Sequence, residues 1–213
     1  FSEYRKKIVE EVESTKLFDK IITYSHEDLG EDILSSEAFK FRKGGGYWSW
    51  KPYIIDKTLE TMSENDILLY CDVGCTINKS KKWNKLFEYI ESNDIVGSLI
   101  QGTNIRWCRN NVLKYFKSNG KYWPFFNQVT ASHLFVKKNL KTTLFIKKWK
   151  NLSINRPDLL LDVSPVEIKN ESRFFKENRY DQSILNGLIY KNIERMKIKL
   201  IWNNFDNRSF FKR

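Results

Sequence analysis

The sequence predicts an α/β fold, with a mostly parallel central sheet and helices on both faces. Segments of strand character alternate along the chain with segments of helical periodicity, which is the pattern of α/β domains. The run Ile67–Cys71 is apolar throughout, as expected for a strand buried on both faces of a parallel sheet. The 213 residues, 41% of them hydrophobic and 15% aromatic, suffice for a real core. We therefore expect one domain over residues 1–213.

Helices are predicted where apolar residues recur at three- and four-residue spacing, and strands where short β-prone runs end in polar residues. In the first half these are a helix through Tyr4, Ile8, Val9 and Val12, a strand at 21–24, a helix from Pro52 with Ile55, Leu59 and Met62, the strand Ile67–Cys71, a helix with Trp83, Leu86, Phe87 and Ile90, and a strand at 94–100. Doubly wound sheets usually open on a strand, whereas the first predicted element here is the helix through Tyr4. Either a first strand is missing from the sequence, which we expect, or the sheet starts differently.

The second half continues the alternation less strictly. The predicted elements are a helix with Val112, Leu113 and Phe116, a strand at 131–136, a helix with Leu144, Phe145, Trp149 and Leu152, a helix with Ile184, Leu185, Leu188 and Ile189, and a final strand Ile198–Trp202. Residues 155–178 contain two prolines and no clear periodicity, so they are predicted to form a long functional loop.

The net charge of +11 admits three partners: nucleic acid, an anionic membrane surface or a phosphorylated small ligand. The basic residues come in pairs and triples beside apolar helix positions, which is also the pattern of a solvated surface. No apolar run approaches the length of a membrane span, and the first residues lack a secretion signal. The three cysteines form no metal-ligand pattern. A reduced, cytoplasmic location is expected.

The strongest local signal lies at the end of the strand Ile67–Cys71, where Asp72 and Gly74 follow. In open α/β sheets, ligands bind beyond the carboxyl ends of the strands. A carboxylate there can hold a divalent metal or accept a hydrogen bond from a sugar hydroxyl, and Gly74 lets a ligand approach the backbone. An ordinary turn stabilised by Asp72 is the alternative.

The segment 44–52 reads Gly-Gly-Gly-Tyr-Trp-Ser-Trp-Lys-Pro, just before a predicted helix. Backbone amides at Gly46, the Lys51 ammonium and the helix N-terminus suit a phosphate, while the faces of Tyr47 and Trp48 suit a base or a sugar ring. The spacing of a Walker A phosphate loop is absent. The alternative is a turn whose aromatic residues simply anchor it in the core.

Two later residues are further candidates. Asp181 stands just before an amphipathic helix, in Arg179-Tyr180-Asp181-Gln182-Ser183, where it either caps the helix or, paired with Gln182, accepts hydrogen bonds from sugar hydroxyls. His133, in the predicted strand 131–136, is a candidate metal ligand, although a histidine in an apolar strand is more often structural.

Together these motifs resemble the nucleotide-sugar-dependent glycosyltransferases of the GT-A fold, in particular the bacterial and viral members that build capsule or other surface glycans. Those carry Gly-Tyr-Trp-x-Trp-Lys-Pro followed by Tyr-x-Asp-x-Gly at a strand end, which residues 46–52 and 70–74 match. Residues 178–185 resemble their later His-Arg-x-Asp-Gln-Ser-like segment, with Asn178 at the place of the histidine. The resemblance implies a single Rossmann-like GT-A domain.

The resemblance also implies an activity: transfer of a hexose from a nucleotide-diphosphate sugar, with a UDP-sugar as the first candidate, to a glycan or lipid-linked acceptor. It places Asp72 at the first aspartate of the Asp-x-Asp motif and lets Asp181 face the transferred sugar or the acceptor. Position 74 is Gly74 and not the second aspartate, so dependence on Mn²⁺ or Mg²⁺ stays open. His133 or a water would complete the metal shell, or Lys51 would neutralise the diphosphate instead.

We expect the donor to be bound by Lys51, Asp72 and Gly74 together with three residues of the glycine-aromatic segment, namely Gly46, Tyr47 and Trp48. Because Asp72 ends a strand and Lys51 opens the helix before that strand, both are expected to line one pocket. Two other functions stay open: a basic nucleic-acid-binding module, and a domain that binds a sugar nucleotide without turnover. Because the aromatic residues are concentrated beside Asp72 and not spread along a groove, we expect no nucleic-acid partner. A peripheral position at a membrane surface is compatible with the charge.

Overall fold

A computed structural model describes residues 2–202 and 211–212. Its main sheet has five strands, β1 (Ile67–Cys71), β3 (Ile95–Thr103), β4 (Asn127–Val129), β5 (His133–Lys137) and β6 (Ile198–Trp202). β5 lies between β1 and the first half of β3, β4 pairs with the second half of β3, and β6 pairs with the opposite edge of β3. Two short strands, β2 (Thr76–Ile77) and β7 (Phe211–Lys212), form a separate antiparallel pair.

The helices surround this sheet. They are α1 (Ser2–Thr15), α2 (Glu31–Leu34), α3 (Gly44–Tyr47), α4 (Trp50–Glu60), α5 (Lys82–Ser92), α6 (Asn104–Trp107), α7 (Asn110–Tyr115), α8 (Leu140–Asn155), α9 (Pro157–Leu160) and α10 (Tyr180–Asn192). Short 3₁₀ turns occupy His26–Asp28, Glu37–Lys40, Lys117–Asn119, Trp123–Phe125 and Ile168–Asn170. Among residues 2–202 and 211–212, none of these helices has the length and apolar character needed to cross a bilayer.

Both faces of the sheet are covered because side chains along a strand alternate between the two faces. In β5, Leu134 and Val136 pack in the larger core with α4, α7, α8 and α10, whereas Phe135 packs in the smaller core with α1 and α5. In β3, likewise, Ile95 packs in the larger core and Val96 packs in the smaller core. The predicted α/β class, with helices on both faces, is therefore confirmed.

Strand direction is more mixed than the pattern indicated. β1, β3 and β6 run the same way, so one direction predominates as expected, but β4 and β5 run against it. Because the reversed β5 lies between β1 and β3, the β3–β6 pair is parallel while the β1–β5, β5–β3 and β3–β4 pairs are antiparallel. A continuous apolar run such as Ile67–Cys71 reports burial on two faces and does not report the direction of the neighbouring strand.

Most predicted elements are present, and four predictions need correction. Residues 21–24 form no strand. β1 was expected to pair with parallel neighbours, but it stands at one end of the strand order of the described sheet and its partner β5 is antiparallel. The helix expected from Pro52 begins two residues earlier, at Trp50, since proline is also tolerated later in a first turn. Within 155–178, the predicted loop contains the turns α9 and Ile168–Asn170.

Candidate active site

The centre of the site is a buried ammonium group between two carboxylates. Lys51, in the first turn of α4, is 3% exposed, and its Nζ lies 3.0 Å from Oδ2 of Asp72 and 3.7 Å from Oδ2 of Asp181. Asp72 directly follows β1, and Asp181 lies in the first turn of α10. Three distant parts of the chain thus meet beyond the carboxyl end of β1. The expected proximity of Lys51 and Asp72 is confirmed.

Neighbouring groups hold this cluster in place. The hydroxyl of Tyr70 donates to Oδ1 of Asp72 at 2.5 Å, and the Lys51 ammonium also donates to the backbone oxygen of Ala131 at 3.3 Å. Burial, reinforced by the negative charge of Asp72, raises the pKa of Tyr70 well above its usual value, so this hydroxyl keeps its proton and remains a donor. Both carboxylate oxygens of Asp72 therefore have a donor within the protein.

The charges of the cluster do not cancel. With both carboxylates ionised, one ammonium faces two negative charges, and burial strengthens every interaction among them. Asp181 does not cap α10: the N-cap residue is Arg179, whose backbone N–H is bonded to the hydroxyl of Ser183 at 3.0 Å. The carboxylate of Asp181 instead faces Lys51, and its position in the first turn is favoured by the helix dipole. Helix capping therefore does not explain why an aspartate stands at position 181.

A left-handed turn leads into Lys51. Residues 44–48 all have positive φ, between +55° and +90°, so α3 is a left-handed helical turn. Glycine adopts this conformation readily, whereas Tyr47 and Trp48 each pay on the order of 1–2 kcal/mol for it. The segment was expected to present flexible backbone amides, but it is a defined and strained turn. Strain of this kind is concentrated at functional sites.

The turn places aromatic rings beside Asp181. The indole of Trp48 stacks on the ring of Tyr180 with centroids 5.4 Å apart and planes at 22°, and Tyr47 lies 5.2 Å from the same ring. Tyr180 has a φ of +53°, so both sides of this contact are strained. Gly46 packs against Phe39, whose ring lies 2.6 Å from where a Cβ on Gly46 would be. Packing and its φ of +90° therefore account for glycine at this position.

A third carboxylate, Asp162, ties this aromatic turn to the segment 161–178. The Lys43 ammonium donates to both of its oxygens, at 2.9 and 3.1 Å, and the hydroxyls of Tyr47 and Tyr180 donate to it at 3.0 and 3.2 Å. Partial burial works to raise the pKa of Asp162, but the hydrogen bonds from Lys43 and Tyr47 outweigh it and hold that pKa below its usual value. Asp162 and Lys43 are both more than 40% exposed.

The residues at the site do not fit a divalent metal held by side chains. The Lys51 ammonium already stands between Asp72 and Asp181, where a cation would bind. The two ring nitrogens of His133 contact the hydroxyls of Ser98 at 2.8 Å and Ser132 at 3.3 Å. Over residues 2–202 and 211–212, no three His, Cys, Asp or Glu side chains are grouped as metal ligands. The metal roles suggested for Asp72 and His133 therefore find no ligand set here.

Of the remaining candidate residues, Gly74 is open to a ligand and Gln182 is not. Gly74 is exposed, with no atom within 4 Å of a Cβ built on it, so the backbone here is open to a ligand. The side chain of Gln182, considered for sugar binding, is used inside the protein: it accepts from the backbone N–H of Ala131 at 3.0 Å and donates to Gln128 at 2.6 Å. Gln182 thus fastens α10 to the segment before β5.

Three residues that hold the two carboxylate clusters were not predicted from the sequence. Tyr70 stands two residues before Asp72, and a polar hydroxyl in an apolar strand was the available signal. Lys43 precedes the triple glycine, among several surface lysines that look alike in sequence. Asp162 lies 115 residues from Tyr47 along the chain, in a segment without periodicity, and no local pattern could have identified it.

No protein-family model and no curated protein matches the chain. Among solved structures, the galactosyltransferase LgtC, crystallised with donor and acceptor sugar analogues, is similar: 16% identity, 92% of this chain and 68% of that chain covered, with a TM-score of 0.42. At this TM-score the likeness carries no argument about family or activity.

Proposed function

We propose that this protein is a glycosyltransferase that moves a sugar from a nucleotide-diphosphate sugar to a glycan or lipid-linked acceptor. The observation that carries the proposal is the buried Lys51–Asp72–Asp181 cluster beyond the carboxyl end of β1, where α/β sheets bind ligands. Buried charges are costly unless paired, and even paired ones seldom add stability, so this cluster is better explained by chemistry than by folding. The motif resemblance of segments 41–78 and 178–185 supports the same activity.

The chemistry follows from the charges. Carboxylates accept hydrogen bonds from sugar hydroxyls, and Asp72, held by Tyr70 and Lys51, is preorganised for that role. The Lys51 ammonium would stabilise negative charge that develops on the departing diphosphate. In an inverting reaction a carboxylate takes the proton of the acceptor hydroxyl, and Asp181 is our candidate because it lies farther from the ammonium than Asp72 does. We assign no step to a metal ion.

The burial of Lys51 also restricts access. With 3% of its surface exposed, the lysine cannot meet a diphosphate unless a neighbouring segment moves. The segment fastened by Asp162 is the one we propose to move, since its ties to Lys43, Tyr47 and Tyr180 are partly exposed and hence weak. Donor binding would then replace these surface contacts by contacts to the sugar nucleotide.

The test is a thermal-shift screen with nucleotide-diphosphate sugars, each with Mn²⁺ and with a chelator, followed by an assay for released nucleotide diphosphate. We expect one donor class to raise the melting temperature and to be hydrolysed slowly without acceptor. Asp72→Asn should abolish both effects, whereas the exposed Asp19→Asn, with the same change of charge, should keep them. A screen in which no sugar nucleotide shifts the parent protein would refute the proposal.

A sugar-nucleotide-binding domain without turnover is the second candidate, favoured by Gly74, which stands where the Asp-x-Asp motif has its second aspartate. Both candidates predict a thermal shift with a donor, so the assay for released diphosphate separates them. A shift without hydrolysis or transfer, for every acceptor tried, would favour the binding domain.

A further inference from the structure

We propose that the outer face of α8 and the C-terminal end of α10 form a docking surface for an anionic membrane. A groove of about 370 Å³ runs between these helices. Its floor is apolar, with Phe145, Leu188 and Met196 buried, and four cations line it: Lys141, Lys148, Lys191 and Arg195. None of the described residues that line the groove is acidic. This inference does not depend on the proposed transferase activity.

The cations of the groove differ from other lysines on the same helix. On the side of α8 that faces α4, Lys147 pairs with Glu60 at 3.7 Å and Lys150 pairs with Asp56. Among the described residues, none of the four groove cations has a salt bridge, and all four are exposed. The positive charge of this face is therefore not neutralised within the described part of the protein, and it is complementary to an anionic surface.

Apolar side chains accompany these charges. Leu140 is 72% exposed and Leu144 is 59% exposed, both on the face of α8 that carries Lys141 and Lys148. Exposed leucines between lysines are typical of a helix that lies in the plane of a membrane interface, with leucine among the acyl chains and lysine at the headgroups.

A nucleic acid is the less suitable occupant. Single-stranded nucleic acids bind to exposed aromatic faces, and the aromatic residues of this groove are not available for stacking: Phe116 is 1% exposed, and the guanidinium of Arg156 lies over the ring of Tyr115, 4.8 Å from its centroid. Aliphatic side chains at the rim favour lipid. The groove also lies two to three turns along α10 from Asp181, so a protein bound here would hold that cluster near the membrane.

The test is co-sedimentation of the whole chain with vesicles of phosphatidylcholine alone or mixed with phosphatidylglycerol. We expect binding to the mixed vesicles that weakens with salt. Lys141→Gln/Lys148→Gln should weaken it roughly thirtyfold, at about 1 kcal/mol for each basic residue. The matched control Lys79→Gln/Lys81→Gln removes two exposed lysines near α5, on the opposite face of the sheet, and should leave binding nearly unchanged.

Two further measurements keep the result unambiguous. Leu144→Ser, which changes no charge, should also weaken vesicle binding, whereas attraction by net charge alone would leave it intact. Circular dichroism confirms that each variant is folded. Equal losses in the groove variant and its control, no binding to anionic vesicles, or tighter groove-dependent binding to a single-stranded oligonucleotide would each overturn the proposal.

Discussion

Asp72 and Asp162 each accept hydrogen bonds from a lysine and from tyrosine hydroxyls, yet they lie in contrasting surroundings. The Asp72 side chain is 14% exposed and its lysine, Lys51, only 4%, whereas Asp162 and Lys43 are 43% and 44% exposed. The interior cluster has a second carboxylate, Asp181, and so an excess of negative charge. The surface cluster has one ammonium for one carboxylate, together with two tyrosine hydroxyls.

The difference in burial and in charge balance indicates different roles for the two clusters. A surface pair is inexpensive and contributes little, which suits a fastening that opens and closes. Two carboxylates around one buried ammonium are costly to assemble, and a hydrophobic replacement of similar volume would fold at least as well. The chain retains the costly arrangement where strand β1 ends. Under the proposed activity, the interior cluster would serve catalysis and the surface cluster would serve the movement that admits the donor.

The largest difference between the clusters should appear when each loses its lysine. Lys51→Met leaves the buried Asp181 and the largely buried Asp72 without their cation, and we expect it to lower the free energy of unfolding by about 3–5 kcal/mol. Lys43→Met removes an exposed partner and should cost under about 1 kcal/mol. Urea denaturation of both variants measures this. Equal losses would mean that burial does not distinguish the two sites.

The next effect concerns rate, and it rests on the proposed activity. Asp181→Ser should lower sugar transfer roughly 10²-fold or more by removing a general base, while the unfolding midpoint stays near that of the parent. Asp158→Ser is the matched control, because Asp158 is likewise the second residue of its helix and follows an arginine N-cap. Transfer by Asp181→Ser at the parental rate would end the catalytic role of Asp181.

The turn between the clusters should depend on Gly46. In Gly46→Ala the new methyl group would meet the ring of Phe39 at 2.6 Å, at a φ of +90°, so we expect a loss of about 1–3 kcal/mol. Gly74→Ala places its methyl group in open space and should change stability by less than about 0.5 kcal/mol. Thermal or urea unfolding measures the stability of both variants. Similar losses of stability would contradict the claim that the left-handed turn requires glycine at position 46.

The smallest effect is a pH dependence at Asp162. Because its pKa is lower in the folded protein than in the unfolded chain, Asp162 stabilises the fold above the unfolded pKa, and this contribution is lost as the pH falls through the folded pKa. The parent should therefore exceed Asp162→Asn in stability near neutral pH, by less than about 1 kcal/mol, and the gap should close in acid. A gap that widens below pH 4 would reverse the assigned sign.

The local pattern of apolar and polar residues determined most helices and strands of this protein and part of its candidate site. The helical spacing of Trp83, Leu86 and Ile90 predicted α5, because burial of one face imposes its period on the sequence. Short runs of β-prone residues predicted β1 and β6. Asp72 could be singled out for the same reason: a carboxylate that ends a buried strand stands out in the sequence. Lys51 was proposed as its neighbour from its place at the start of the next helix upstream.

Tertiary structure decided the rest, because the deciding contacts join residues that are distant along the chain. Lys51, Asp72 and Asp181 meet only after α4, β1 and α10 have packed on one sheet, and Asp162 reaches Tyr47 across 115 residues. The direction of β5 depends on its partners, and its residue pattern is the same in either direction. Residues 21–24 have strand propensity but pair with no strand in the described part of the chain, and a strand is stable only when its backbone groups find a partner.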